Sequence, residues 1–475
     1  MASISEVHVT DVTIKNIDQL WPRIILNITE ASFIAVDVEM SGLGTKNGTM
    51  ASHLDDRYKA LVTAAKTRSV ISLGVACFKA EQHYEDAPSD ENETCDSNKN
   101  QLVFCVSVYN IVLLCSDPYT IDPDAVKFLV AHGFNFNQQF ADGIPYHKGN
   151  DTTSEKSSQL YMRRLFSELI RQRKPLVVHN GFADLVFLYQ CFYAECPNKL
   201  ASFMADLSEM FPSGIYDTKY IAEYLDHTSA SFLLFVFKFS YLNAIESEKQ
   251  GRSSLKIVSG DKTKWTACIS LQDSSPTQKI DKLKPVLNLC EQYSAHGWCL
   301  AGVNCRKSHN INAIIEEHKK EKTSRKRKRK RSEQKQIKGS DNGSNEQQKR
   351  YSEEHSSGTE NGYSDTNNCQ LNQTEPDNFS HRSGIDSFMT GYTFAAFIAS
   401  RCTPSVIANF KDANLTQIEG KVYSDQIPFL DNDLQKSIVN KLFLSGKNIP
   451  LSVCKSLYTT TSNNHSEKLV NIYIN

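Results

Sequence analysis

The sequence lacks a long apolar run. Nowhere do eighteen consecutive residues stay apolar, which argues against a helical membrane span. The opening residues, MASISEVHVTDVTIKNIDQLW, hold no basic stretch followed by an apolar core, so no secretory leader is expected. Net charge is almost absent: 53 basic side chains against 54 acidic ones leave −1. No global field draws in nucleic acid, and any attraction to phosphate must be local. No internal repeat is visible. The 13 cysteines are an odd count and mostly scattered singly, so without a leader they read as thiols in a reducing compartment, cytosol or nucleus.

What is present suits a folded protein. A chain of 475 residues, 40% hydrophobic and 23% charged, can bury a large core and hold two or three domains. Residues 17–30 put Ile17, Leu20, Ile24 and Ile25 on one face and predict an amphipathic helix. Ser32 to Met40, SFIAVDVEM, is a β-type run broken by two acids. Residues 68–79 and 101–114 are β-branched and apolar and read as strands, with the polar stretch 81–100 as a long loop between them. An antiparallel meander opening a mixed sheet is expected. Residues 158–173 predict an amphipathic helix, with Tyr161, Leu165 and Leu169 on one face. Leu176 to Val178 reads as a short strand, 182–193 as a buried helix, and Asp217 to Leu225 as a further helix. The character changes near 248. Residues 248–282 are polar, 290–309 rich in Cys and His, 319–350 basic, and 351–380 nearly devoid of apolar side chains, the signature of disorder. A helix is expected again after His381, in GIDSFMTGYTFAAFIAS. The organisation expected is one α/β domain in two pieces, 1–247 and 381–475, separated by a Cys/His module at 283–312 and a disordered linker at 313–380.

Carboxylates stand in apolar surroundings at several element ends. Asp37 and Glu39 are two apart on a strand, so both face one side. Burying them is costly unless they are paired or bind metal; a solvated acidic edge is the other reading. Asp184, in VVHNGFADLVFL, and Asp386, in HRSGIDSFMTGY, each open a helix, where the dipole alone would favour a carboxylate. His381, five residues before Asp386, reads in isolation as a surface residue. Together, four carboxylates and one His supply what a two-metal hydrolase needs, because two hard divalent ions require several carboxylate oxygens and a neutral His can accept a proton near pH 7.

These segments resemble the DEDD exonucleases, an RNase H-like fold. FIAVDVEMSGLG looks like their first motif, HNGFADLVFLY their second and HRSGIDSFMTGY their third. The His-x-x-x-x-Asp spacing matches the DEDDh branch. DDRYKAL at 55–61 and IYDTKYIAEYL at 215–225 are similar to its deadenylase group, which includes poly(A)-specific ribonuclease. The resemblance covers roughly residues 25–245 and 380–460, and all five motif positions are filled. It implies that Asp37, Glu39, Asp184 and Asp386 hold two Mg²⁺ ions and that His381 is the general base. Asp217 reads as a helix-capping acid, and His179 as a satisfied turn or core histidine.

Cys290, Cys299, Cys305 and His309 follow the spacing Cys-x8-Cys-x5-Cys-x3-His. Four such ligands suit one tetrahedral, structural Zn²⁺. The spacing resembles the CCCH zinc fingers, which bind single-stranded RNA. Tyr293 and Trp298 would stack on bases, and Arg306 and Lys307 would attract phosphate. His296 breaks the spacing and reads as surface. Arg325 to Arg331, RKRKRKR, is read as a nuclear localisation signal for an import receptor, with an RNA-binding arm or a solvated linker as the other readings.

A DEDDh domain split by a CCCH finger and a basic run resembles nuclear members of the poly(A)-specific ribonuclease-like group. That resemblance implies a 3′-to-5′ exoribonuclease acting on single-stranded RNA 3′ ends, namely adenosine tails and small nuclear RNA precursors. It also implies residence in the nucleus, with the nucleolus and Cajal bodies. The metal core alone would equally serve a DNA 3′ exonuclease. An RNA-binding adaptor retaining the fold as a scaffold would have lost a metal ligand, and none is lost.

Overall fold

The computed structural model describes residues 6–81, 101–151, 157–252, 254–260, 262–270, 288–320, 322, 382–401 and 432–474. All but the first residue of the loop expected at 81–100, the basic run 325–331, His381 and most of the 313–380 linker lie outside them.

Strand β1 (Glu6–Val12) leads into helix α1 (Ile17–Glu30). Ile17, Leu20, Ile24 and Ile28 recur at helical spacing and are buried, with Ile25 on the flank. Strands β2 (Phe33–Met40), β3 (Val70–Glu81) and β4 (Gln101–Cys115) form the antiparallel meander expected from the sequence, with α2 (Leu54–Thr67) between the first two. There follow β5 (Ile144–Tyr146), α3 (Tyr161–Arg171), β6 (Leu176–Val178), α4 (Phe182–Phe192), α5 (Leu200–Met210) and β7 (Ile215–Asp217). Then come α6 (Leu233–Lys249), β8 (Ser254–Ser259), β9 (Thr266–Ser270), the short α7 (Glu291–His296) and the long α8 (Ser383–Arg401). Strands β10 (Lys441–Leu442) and β11 (Leu451–Ser452) and helix α9 (Asn463–Ile474) close the described chain.

The strands make one mixed sheet in the order β11-β10-β7-β6-β2-β3-β4-β1-β9, with β5 and β8 also on β4. Strand β4 is long enough for three parallel partners in succession along its edge away from β3. These are β8 beside Gln101–Val106, β1 beside Val108–Ile111 and β5 beside Leu113–Cys115. The two-residue alternation of strands divides the core. Ile34, Val36, Val75 and Ile111 face α1 and α4, whereas Phe33, Ala35, Phe78 and Val108 face α8. The result is a mixed sheet flanked by helices, as expected. Every cysteine among the described residues is a free thiol, and no described helix is long and apolar enough to cross a membrane.

Three expectations need correction. The domain's first piece does not end at 247, because β8 and β9 extend the sheet to Ser270. Both are partly exposed strands whose outward side chains make the segment look polar. The linker does not begin at 313, because residues 311–320 are helical and bury Ile314 and Ile315 against Phe235 and Val236 of α6. The helix expected over Asp217 to Leu225 begins as the short turn Thr218–Tyr220 and then widens into a π turn at Ile221–Leu225, closed by the Asp226 N–H on the Ile221 carbonyl at 3.0 Å.

Candidate active site

Asp37 and Glu39 leave β2 on the face shared with Phe33 and Ala35, toward α8. Their neighbours across β3 are Gly74 and Ser72. Asp184 lies in the first turn of α4, just after β6, and Asp386 in the first turn of α8. Both are buried. Carboxylate oxygens of Asp37, Glu39 and Asp386 lie within 4.8 Å of one another. Two segments far apart in sequence thus deliver three carboxylates to one cradle, and Asp184, from a third, is near enough to act on Asp37 and Glu39 through its charge. His381, immediately before the described Arg382, lies outside the described residues.

The cluster carries more negative charge than its surroundings favour. Burial, then Asp386, Glu39 and Asp184, hold the Asp37 carboxyl well above the ordinary range. Glu39 is raised by burial, then by Asp386 and Asp184. Asp184 is pushed from 3.8 up to about 8, by burial first and Asp217 second. Oxygen donors that repel one another at this distance fit a hard divalent cation, which offsets their charge.

Asp217 and His179 brace the cradle. Asp217 is fully buried at the end of β7. Its carboxylate accepts the N–H groups of Lys219 and Tyr220, capping the turn as the sequence suggests. It also accepts Asn180 N–H at 2.9 Å and Phe443 N–H at 2.9 Å, joining the turn before α4 to the C-terminal segment. Asn180 stands at φ 59°, a conformation Asn tolerates better than most side chains. His179 Nε2 donates to the Ser231 carbonyl at 3.0 Å, and Nδ1 lies 2.8 Å from Thr218 Oγ1. Burial, then Lys219, drops its pKa to about 3, so it is a neutral structural group. The DDRYKAL segment is structural too. Arg57 donates to the Ala51 and Ser445 carbonyls and Tyr58 to the Pro197 carbonyl. Sequence reasoning gave the segment no such role, because its partners are backbone oxygens that leave no trace in side-chain pattern.

A second cluster lies in the insert. The ligand atoms of Cys290, Cys299, Cys305 and His309 lie within 4.8 Å of one another. His309 Nε2 is buried without a hydrogen-bond partner, and the Tyr293 N–H donates to Cys290 Sγ at 3.5 Å. Three thiols and an unpartnered imidazole nitrogen fit a tetrahedral ion. Trp298, half exposed, and Arg306 and Lys307 face outward, with Lys307 paired to Glu291 at 3.5 Å. Tyr293 does not join them. Its ring stacks on His309 at 4.2 Å between centroids and meets Phe232 edge-on, while the residue stays partly exposed. His296 is exposed, as expected.

Comparison with known proteins matches residues 12–162 and 151–394 to the CAF1 family of ribonucleases. Poly(A)-specific ribonuclease PARN of Danio rerio is 25% identical over 149 residues, covering 29% of this chain and 20% of the relative. The pre-piRNA 3′-exonuclease trimmer of Bombyx mori is 40% identical over 50 residues, 10% of this chain and 9% of the relative. The chain therefore spans a fifth or less of the length of these relatives. Among solved structures, the Mg²⁺- and Mn²⁺-bound form of Pop2p from S. pombe matches at 17% identity and a TM-score of 0.35. That match covers 49% of this chain and 81% of that one. The RNase domain of yeast Pop2 matches at 14% identity and a TM-score of 0.32, covering 49% of this chain and 73% of that one.

Proposed function

Because the chain belongs to the CAF1 family of ribonucleases, we propose that it is a 3′-to-5′ exoribonuclease trimming single-stranded RNA 3′ ends. The substrates proposed are adenosine tails and the 3′ extensions of small nuclear RNA precursors. The convergence of Asp37, Glu39, Asp184 and Asp386 from three distant segments carries this reading. In it these four residues hold two Mg²⁺ ions, which when bound offset the carboxylate charge and supply Lewis acidity at the scissile phosphate. His381 takes a proton from the attacking water. The water oxygen bonds to phosphorus, the P–O3′ bond breaks, the leaving O3′ is protonated, and a 5′-mononucleotide departs. His179 takes no part, since both its ring nitrogens are engaged.

Cys290, Cys299, Cys305 and His309 would hold one structural Zn²⁺. The finger offers RNA the outward Trp298, Arg306 and Lys307, for stacking and phosphate attraction. The run Arg325–Arg331 would bind a nuclear import receptor and direct the protein to the nucleus, with the nucleolus and Cajal bodies as destinations. The domain order supports this part of the reading, because it resembles the nuclear protein called target of early growth response protein 1.

The test is digestion of a 3′-adenylated RNA with Mg²⁺, beside a matched DNA oligonucleotide. The Asp37→Ala, Glu39→Ala protein is expected to lose about 10³-fold or more in rate, since metal-bound catalysis supplies several kcal/mol. Undiminished trimming by this variant would sink the assignment, and equal cutting of DNA would remove RNA selectivity. His381→Ala should flatten the dependence of rate on pH between 6 and 9, and an unchanged profile removes His381 from the base role.

A further inference from the structure

The third motif reaches the cradle only after residues 271–380, and its seat is built into the sheet. Cross-strand register sets Asp37 of β2 opposite Gly74 of β3, Gly74 opposite Asn110 of β4, and Asn110 opposite Asp11 of β1. These positions form one row, and residues in such a row share a face. Gly74 leaves a notch in the row, and α8 begins there. A Cβ on Gly74 would fall 1.8 Å from the Ser383 carbonyl oxygen, and one on Gly384 would fall 2.9 Å from Asn110 Cβ. Only backbone fits at either point.

Asn110 occupies the next place in the row and is 7% exposed. Its Oδ1 accepts the Ser383 hydroxyl at 3.1 Å and the Gly384 N–H at 3.3 Å. The β4 side chain thereby satisfies a first-turn N–H of α8, as a cap does. Ser72, which faces Glu39 across the β2–β3 pair, lies 3.3 Å from the same oxygen and 2.5 Å from Ser383 Oγ. The Asn110 amide NH₂ turns the other way and donates to Asp11 Oδ1 at 2.9 Å. That oxygen also receives the guanidinium of Arg382, the first described residue after the insert. Oxygen and nitrogen of one amide thus join the incoming chain to two strands, one of them carrying the row from Asp37.

We propose that Asn110, with Asp11 and Arg382, is a positioning clasp that sets Asp386 against Asp37 and Glu39. The proposal rests on the exonuclease reading for its kinetic consequences, but not for its effect on cation binding. An outer partner that orients a metal-binding group changes affinity or rate by about 10–100-fold when removed.

The experiment uses the full chain, Mg²⁺ and a 3′-adenylated RNA. Asn110→Ala is expected to lower kcat by about 10-fold and to raise the Mg²⁺ needed for half-maximal rate several-fold, with KM for RNA held within about twofold. The Mg²⁺-induced rise in melting temperature, which needs no substrate, should shrink in step. Asp11→Ala, at a partly exposed side chain, should move each quantity in the same direction by less. An Asn110→Ala protein with wild-type kcat, Mg²⁺ requirement and Mg²⁺-induced shift overturns the clasp. If that variant does not fold, Asp11→Ala decides, and an unchanged Mg²⁺ requirement there overturns it. A wild type that gains stability from Mg²⁺ but trims no RNA sinks the exonuclease reading, and the clasp then stands or falls on the melting shift. A wild type that gains no stability from Mg²⁺ overturns both.

Discussion

Asp184 shows what the cradle costs without a cation. Its folded pKa is raised to about 8 from 3.8. The folded protein therefore keeps a proton that the unfolded chain releases. Stability from this group is intact below about pH 4 and is lost as pH rises toward 8. In EDTA the melting temperature should fall across that window by about 5 °C or more, since each kcal/mol is worth a few degrees. Mg²⁺ should flatten the curve, and Asp184→Asn should make it less steep in EDTA, with Asp37 and Glu39 keeping its direction. Differential scanning calorimetry at pH 5, 6, 7 and 8 reads this directly, and a metal-free curve that rises with pH contradicts it. The carboxylates stood out in the sequence only as a set, since each alone has an ordinary reading and the resemblance to the exonuclease motifs made them specific. The contact of Tyr293 with His309 was not legible, because composition places a ring in a finger without saying what one of its faces covers.

At the scale of elements, α8 is the helix on which the site depends. Phe388, Tyr392 and Phe394 lie in the core beside Phe33, Phe78 and Phe104. Gly391 permits the approach, since a Cβ there would stand 2.1 Å from Phe78 Cε2 and 2.7 Å from Cζ. Phe78 is itself stacked on Phe33 at 4.7 Å and cannot yield freely. Gly391→Ala should cost about 1–3 kcal/mol in denaturant unfolding, despite the better helix propensity of alanine. A gain in stability would mean that the helix shifts without strain. Helices α1, α3, α4 and α8 and the meander could be read because apolar periodicity was strong, down to the bounds of α1 and β6, whereas α2, α5, α6 and α9 were not read. Strands β1, β8 and β9 could not. Strands β8 and β9 are partly exposed and mix polar with apolar side chains, and β1, though paired on both sides, interrupts its apolar residues with His8, Thr10 and Asp11. The π turn after Asp217 could not be read either, because the residues IAEYL suit an ordinary helical turn equally well.

For the whole molecule, the finger and the α/β domain share a core. Gly297, at φ 76°, ends α7 against Phe232, where a Cβ would fall 2.5 Å from that ring. Leu289, Tyr293 and Ile311 pack with Phe235 and Val236 of α6. Losing zinc should therefore reach beyond the finger. Cys299→Ser with Cys305→Ser is expected to lower the principal melting transition by a few degrees and to expose α6 to hydrogen exchange. Unchanged protection of α6 would show that the finger is an independent module. The sequence declared that the domain is interrupted, but not how the interruption is closed. The chain leaves from Ser270, paired with Glu6 of β1, and returns at Arg382, bound to Asp11 of the same strand. Departure and re-entry are thus about 16 Å apart along one strand. A loop fastened at both feet pays for length only logarithmically, about 0.6 kcal/mol per doubling. Strand β1 is therefore the place where the domain is opened and closed again, so that the ends of the insert are held close together by one strand while its packed part rests on α6.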